Sequence, residues 1–193
     1  MNVVIIKYNA GNIRSVDFAL RRLSVNASIT DDFKSISEAD KVIFPGVGEA
    51  HNTMNYLRER GLNELISSLK QPVLGICLGL QLMCKWSEEG NTDCIGIFNQ
   101  PVRRFPEGQK IPHMGWNSLE NVKGNLFGEE LSGKYVYFVH SYYVPVCEET
   151  VAMTHYIIPF SAALQKDNFY ATQFHPEKSG DAGHRILKKF LEL

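Results

Sequence analysis

The chain has 193 residues, with 20 Lys plus Arg against 21 Asp plus Glu and a formal net charge of -1. Apolar residues make up 44% and charged residues 21%, the balance of a globular domain that can bury a core without disulfide or metal staples; this excludes a disordered, collagenous or disulfide-scaffold chain. The near-neutral charge gives no electrostatic case for nucleic acid or an anionic membrane, and at ~100–200 residues per domain the expectation is one domain over 1–193, without room for a barrel of ~250 residues.

Val3–Ile6 is an apolar run ended by Lys7. It is too short for a signal-peptide core of ~7–15 residues or a membrane span of about 18, so the expected compartment is the cytoplasm. The run predicts a buried strand, followed by a turn at Tyr8-Asn9-Ala10-Gly11-Asn12. Residues 13–23 carry apolar positions at helical spacing, and 27–30 suggest a weak strand. Residues 42–44 predict a buried strand stopped by Pro45-Gly46-Val47-Gly48. Positions 54–69 trace a helical face with a break at Gly61, 73–76 a third buried strand, and 78–86 a helix. Strands that are continuously apolar and alternate with helices point to a parallel sheet covered on both faces. Beyond residue 100 the pattern changes to strand-like runs at 102–105, 135–139, 151–154, 162–164 and 170–174, for which antiparallel or mixed pairing is expected. A helix at 182–191 closes the chain. The fold class is therefore α/β, a central mixed but mainly parallel sheet flanked by helices.

The four cysteines Cys77, Cys84, Cys94 and Cys147 form no Cys-x-x-Cys pair and no zinc spacing, and are expected to be free thiols; no cofactor or metal is implied. Cys77 stands apart. Gly75-Ile76-Cys77-Leu78-Gly79 lies between a buried strand and a helix, the pattern of a nucleophile elbow, where a sharp turn between small residues lifts the side chain from the strand end. The helix start behind it favours a thiolate, and Leu78 N–H is the natural oxyanion donor. The bland alternative is a buried cysteine acting as a small hydrophobe, the reading given to Cys84, Cys94 and Cys147.

A thiolate needs a base and a group to orient it. His175-Pro176-Glu177 follows a strand-like run, and Pro176 biases His175 toward extended backbone, from which Glu177 can reach the far ring nitrogen. The alternative is a strand-end histidine that caps or faces solvent. The Pro45–Gly48 turn is either a tight turn needing positive φ or a second set of backbone donors, Val47 and Gly48, close to the elbow if the two strands are neighbours. No Gly-Lys-Ser/Thr follows it, so a nucleotide phosphate site is unsupported.

These three segments, in this order, resemble the class I (triad-type) glutamine amidotransferases across nearly the whole chain. Locally, Tyr8 to Asn12 with Ser15, Pro112-His113-Met114-Gly115-Trp116-Asn117, Phe138-Val139-His140-Ser141-Tyr142 and Glu177-Lys178-Ser179-Gly180 resemble the glutaminase subunits of imidazole glycerol phosphate synthase. The resemblance implies that Cys77 attacks the glutamine side-chain amide, that His175 moves the proton and that Glu177 sets its tautomer. It further implies oxyanion stabilisation near Gly48, and substrate recognition by Gln81, His140, Ser141 and Tyr142. Ammonia would pass to a separate (β/α)8-barrel cyclase touched by Asn12, Trp116, Asn117 and Lys178.

Some of these have a plainer reading. Gln81 would be an exposed helix residue, Trp116 a half-buried core residue, and Tyr142 or Tyr143 simple sheet packing. Lys7 and Glu49-Ala50 depart from the family pattern beside the oxyanion turn. The competing functions are a glutaminase for another synthase and a non-catalytic subunit of the same fold.

Overall fold

The computed structural model describes residues 1–8 and 12–193; Asn9, Ala10 and Gly11 of the expected turn lie outside the described residues. Strand β1 (Val3–Ile6) leads past them to helix α1 (Ile13–Arg22), then β2 (Ser28–Thr30), α2 (Phe33–Ser37), β3 (Lys41–Gly46), α3 (Ala50–Glu59), α4 (Leu62–Ser68), β4 (Val73–Cys77) and α5 (Leu78–Met83). The second half is β5 (Cys84–Ser87), β6 (Thr92–Asp93), β7 (Phe98–Arg104), β8 (His113–Ser118), β9 (Tyr135–His140), β10 (Tyr142–Tyr143), β11 (Thr150–Tyr156), β12 (Ile158–Lys166), β13 (Phe169–Thr172) and α6 (Gly180–Glu192).

Seven strands form the central sheet in the order β11-β12-β13-β4-β3-β1-β2. Pairing is parallel from β13 through β4, β3 and β1 to β2, and antiparallel at β11-β12 and β12-β13. Every residue of β1, β3 and β4 is buried. Because side chains alternate across a strand, Val3 and Ile5 enter one core with Leu20 of α1 and Ile186 and Phe190 of α6. Val4 and Ile6 enter the opposite core with Leu57, Leu62 and Leu78 of α3, α4 and α5. Two-sided burial is why these strands read as unbroken apolar runs, each fully buried aliphatic side chain contributing about 1.5–3 kcal/mol. Gly61, at φ 66, separates α3 from α4 as expected.

One expectation needs correction, and two elements went unread. The helix after the elbow ends at Met83, and Cys84 to Ser87 is a strand paired in parallel with β7, so Cys84 begins an extended segment rather than continuing a helical face. Residues 113–118 form β8, antiparallel to β9; Gly115 and the alternation of polar and apolar positions hid it. Helix α2 carried no periodic signal because it is only five residues long; it starts where the Asp32 carboxylate caps Ser35 N–H.

Candidate active site

Three parallel strands end at one place. Gly46 of β3 is in register with Cys77 of β4, and β13 lies on the other side of β4, so the turn after β3, the elbow and His175 meet at the carboxyl edge of the sheet. Ligands in open α/β sheets bind at this edge. Helix α5 begins immediately and presses against β3: a Cβ on Gly79 would collide with the Phe44 carbonyl, and one on Gly46 would lie 2.5 Å from Gly79 N. Glycine is required at both positions by this close approach. Cys77 itself adopts φ 54 and ψ -106, a strained conformation of the order of 1–3 kcal/mol that projects the side chain away from the sheet.

The thiol lies 3.8 Å from Val139 O and 3.8 Å from Gln173 Nε2. His175 is extended (φ -99, ψ 95) at the start of a short 3-10 turn, as its following proline predicts, and its Nδ1 lies 2.8 Å from Glu177 Oε1 with both side chains buried. Nδ1–H therefore donates to the carboxylate, and the buried Nε2, which has no hydrogen-bond partner, is left free to exchange a proton. Burial alone would lower the imidazole pKa, but its interaction with neighbouring Cys77, reinforced by the hydrogen bond and charge of Glu177, pushes it up to about 10. The charged imidazolium is thus favoured beside Cys77. The histidine backbone is anchored as well: its N–H donates to Tyr137 O (2.9 Å), and Ser179 Oγ donates to its carbonyl (2.6 Å).

Every expected catalytic, oxyanion and substrate residue except Glu177 lines one cavity of about 380 Å³, within the range of small-ligand sites. Glu177 stands behind His175. Val47 and Gly48 face Leu78 across the cavity mouth, and Gly48 holds φ +120 in open space, so glycine serves the backbone conformation there. Gln81 is buried at 4% exposure, which removes the reading of a surface residue; its Nε2 donates to Tyr142 O and to Gln173 Oε1, both at 3.0 Å. Tyr142 borders the cavity, while Tyr143 stacks on Phe105 in the core (4.7 Å).

The family model for class I glutamine amidotransferases matches residues 5–193. The chain belongs to the class I glutamine amidotransferases. It is 64% identical to imidazole glycerol phosphate synthase subunit HisH of Bacteroides fragilis (strain YCH46) and 47% identical to the HisH subunit of Yersinia pestis, in each case over 100% of both chains. Among solved structures, a crystal structure of a glutamine amidotransferase superposes with TM-score 0.78 at 21% identity, covering 99% of this chain and 98% of the other. PurLQS from Thermotoga maritima gives 0.73 at 14%, covering 99% and 97%. At those identities the structures establish the shared fold alone.

In this amidotransferase the residues expected at a partner surface divide. Trp116 is 55% exposed, which removes the core reading, and Lys178 is exposed with its Nζ 5.9 Å from the Tyr137 ring. Asn12 instead turns its amide to Glu177 Oε1, and Asn117 donates to His155 O at 3.0 Å. Of the two departures, Lys7 is exposed and adds one more bond to β2 through Thr30 O. Glu49 caps α3 by accepting from His51 N and Asn52 N, so the change after the glycine turn supplies a helix cap.

Sequence reasoning missed three residues. Glu89, the only carboxylate lining the cavity among the described residues, holds Ala50 N–H at 2.8 Å, and burial raises its pKa above the ordinary range. Buried Tyr8 donates to the Pro45 carbonyl and braces the strand that leads into the oxyanion turn. Gln173, fully buried, reaches Cys77 Sγ. A signal for Gln173 was present: a glutamine inside an otherwise apolar run needs a partner.

Proposed function

We propose that this chain is the cytoplasmic glutaminase subunit of an imidazole glycerol phosphate synthase. The observation that carries the chemistry is one histidine set between a strained cysteine and a buried carboxylate at the end of a parallel strand. The Cys77 thiolate attacks the side-chain amide carbon of glutamine. Charge on the oxygen is met by N–H groups of Leu78 and of the Val47–Gly48 turn. The carbon–nitrogen bond breaks, the nitrogen takes a proton from His175 Nε2, and ammonia leaves a γ-glutamyl thioester on Sγ. Water then gives a proton to His175 and its oxygen to the thioester, releasing glutamate and restoring the thiolate–imidazolium pair. Glu89 is placed to receive the α-ammonium group, and Gln81, Ser141 and Tyr142 complete the cradle.

Ammonia is delivered to a separate (β/α)8-barrel cyclase, which forms imidazole glycerol phosphate and aminoimidazole carboxamide ribotide. The subunit assignment rests on the full-length likeness to proteins named for that synthase. The outer face of the β8–β9 ribbon supports a docking surface: Met114, Trp116 and Tyr135 are 63%, 55% and 62% exposed, beside Lys178 and next to the cavity wall at Val139. Aromatic side chains exposed together are typical interface anchors. His113 to Asn117 favour this synthase over another.

The test is glutamate and product formation with and without a purified barrel cyclase and its acceptor. Stimulation by that partner is expected, and Cys77→Ala is expected to lose glutamine-dependent synthesis by about 10⁴-fold or more while ammonia-dependent synthesis continues. Stimulation only by a different synthase, or full glutamine-dependent activity of the variant, overturns the assignment.

A further inference from the structure

The polar groups that the triad leaves unused converge on the inner face of the β8–β9 ribbon. His113 Nδ1 lies 3.0 Å from His140 Nε2, and His140 Nδ1 lies 2.7 Å from Tyr142 O. Asn117 Nδ2 lies 3.4 Å from His113 Nε2. Both rings are buried, at 3% and 6% exposure. His113 is sandwiched between Tyr156 (4.0 Å) and Phe138 (4.9 Å), and His140 packs on Phe105 and Phe160.

These contacts allow one assignment of protons. A carbonyl only accepts, so His140 Nδ1 carries the hydrogen given to Tyr142 O. Its Nε2 must then accept, and the donor facing it is His113 Nδ1–H. That leaves His113 Nε2 as the acceptor for the Asn117 amide. Protonating either ring would set two N–H groups against each other, or one against the Asn117 amide, in a box of aromatic rings. Among the described residues no carboxylate is hydrogen-bonded to either ring; the titratable groups around the pair are His175 and Tyr156. Burial accordingly holds His113 down to about 4 and His140 down to about 3.

At its far end Tyr142 O also accepts from Gln81 Nε2, whose second hydrogen goes to Gln173 Oε1 and so directs Gln173 Nε2 at Cys77 Sγ. We propose that His113 and His140 form a permanently neutral, one-directional hydrogen-bond relay from Asn117 to the Tyr142 carbonyl, and that through Gln81 and Gln173 they are positioning residues for the Cys77 thiolate. The role at Cys77 rests on its being the nucleophile; the relay itself does not.

The full chain labelled with ¹⁵N-histidine tests the relay directly. Long-range ¹H–¹⁵N correlation should show both rings as neutral Nδ1–H tautomers that do not titrate between pH 8 and pH 5.5. An Nε2–H tautomer on either ring, or a midpoint near 6.5, overturns it. The positioning role is read from iodoacetamide modification of Cys77 against pH, mapped by peptide mass spectrometry. His140→Leu should slow modification at neutral pH about tenfold, the weight of one lost hydrogen bond. His140→Asn, whose amide can still reach Tyr142 O, should recover most of that loss. Equal rates in folded His140→Leu, His140→Asn and unaltered protein overturn the positioning role. A Cys77 unreactive in the unaltered protein overturns its assignment as nucleophile, whatever the tautomers show.

Discussion

On the parallel-sheet side of the cavity, Cys77, Val47, Gly48 and Leu78 sit at or just past strand ends and owe their placement to backbone geometry: a strained φ/ψ, a positive-φ glycine and glycines that let α5 press on β3. On the ribbon side, His140, Ser141 and Tyr142 owe theirs to side chains bonded across long sequence gaps, such as His113 to His140 and Gln81 to Tyr142. The first region is set by the main chain and contains the proposed reacting atoms. The second is set by side-chain hydrogen bonds and has exposed Met114, Trp116 and Tyr135 on its back. In the proposed function, chemistry that tolerates little displacement is thereby separated from recognition of a ligand and a second protein.

Substitutions should respect that division. Glu177→Gln strikes the first region; losing the carboxylate that fixes the His175 tautomer should lower the turnover number roughly 10³–10⁴-fold, measured as glutamate release with the partner present, while near-ultraviolet circular dichroism stays unchanged. Trp116→Ala strikes the back of the second. It should weaken partner binding by about 2 kcal/mol, near 30-fold in Kd by calorimetric titration, without lowering the melting temperature of the isolated chain, since the indole is exposed. Glu89→Gln keeps the shape of the cavity and removes its carboxylate; KM for glutamine should rise about tenfold with the turnover number little changed, the mark of lost ground-state binding. A collapse of turnover in that variant would place Glu89 with the reacting groups instead.

The smallest effect is on acid stability. His113 and His140 have folded pKa values below the ordinary value of about 6.5. Above that value both states are neutral and the stability is fully present. As pH falls below it the unfolded chain binds protons that the folded chain refuses, so stability declines toward pH 4. His113→Phe removes one such group and should flatten the melting temperature between pH 7 and pH 5. An unchanged slope would separate His113 from that proton uptake.

The same division governs how much was legible in the sequence. The parallel half announced itself: β1, β3 and β4 are buried on both faces and so are locally apolar, while Gly46, Gly48 and Gly79 mark the turns that place the nucleophile. His175 and Glu177 are two residues apart, and a short extended segment before proline is enough to pair them. On the ribbon half β9 showed as a strand-like run, but β8 did not, and the site residues there were readable only by likeness to known proteins. Strand β8 alternates His, Gly and Asn on one face with Met and Trp on the other, a pattern with no internal core signal. The partners of His113 and Gln173 lie 27 and 96 residues away, so only topology brings them together. Glu89 was missed for the same reason: its position beside Ala50 depends on the packing of its short 3-10 turn against α3.

The amide of Gln81 has only two hydrogens, and both are committed, one to Tyr142 O and one to Gln173 Oε1. All that this side chain can still show a guest is an oxygen. Glutamine enters with an amide that carries hydrogens; glutamate must depart with a carboxylate that, at neutral pH, carries none. The remaining oxygen of Gln81, which lines the cavity, can accept a hydrogen from the first and has nothing to donate to the second. The proton arithmetic of one buried amide thus limits what this part of the cavity can offer a guest to the acceptance of a hydrogen.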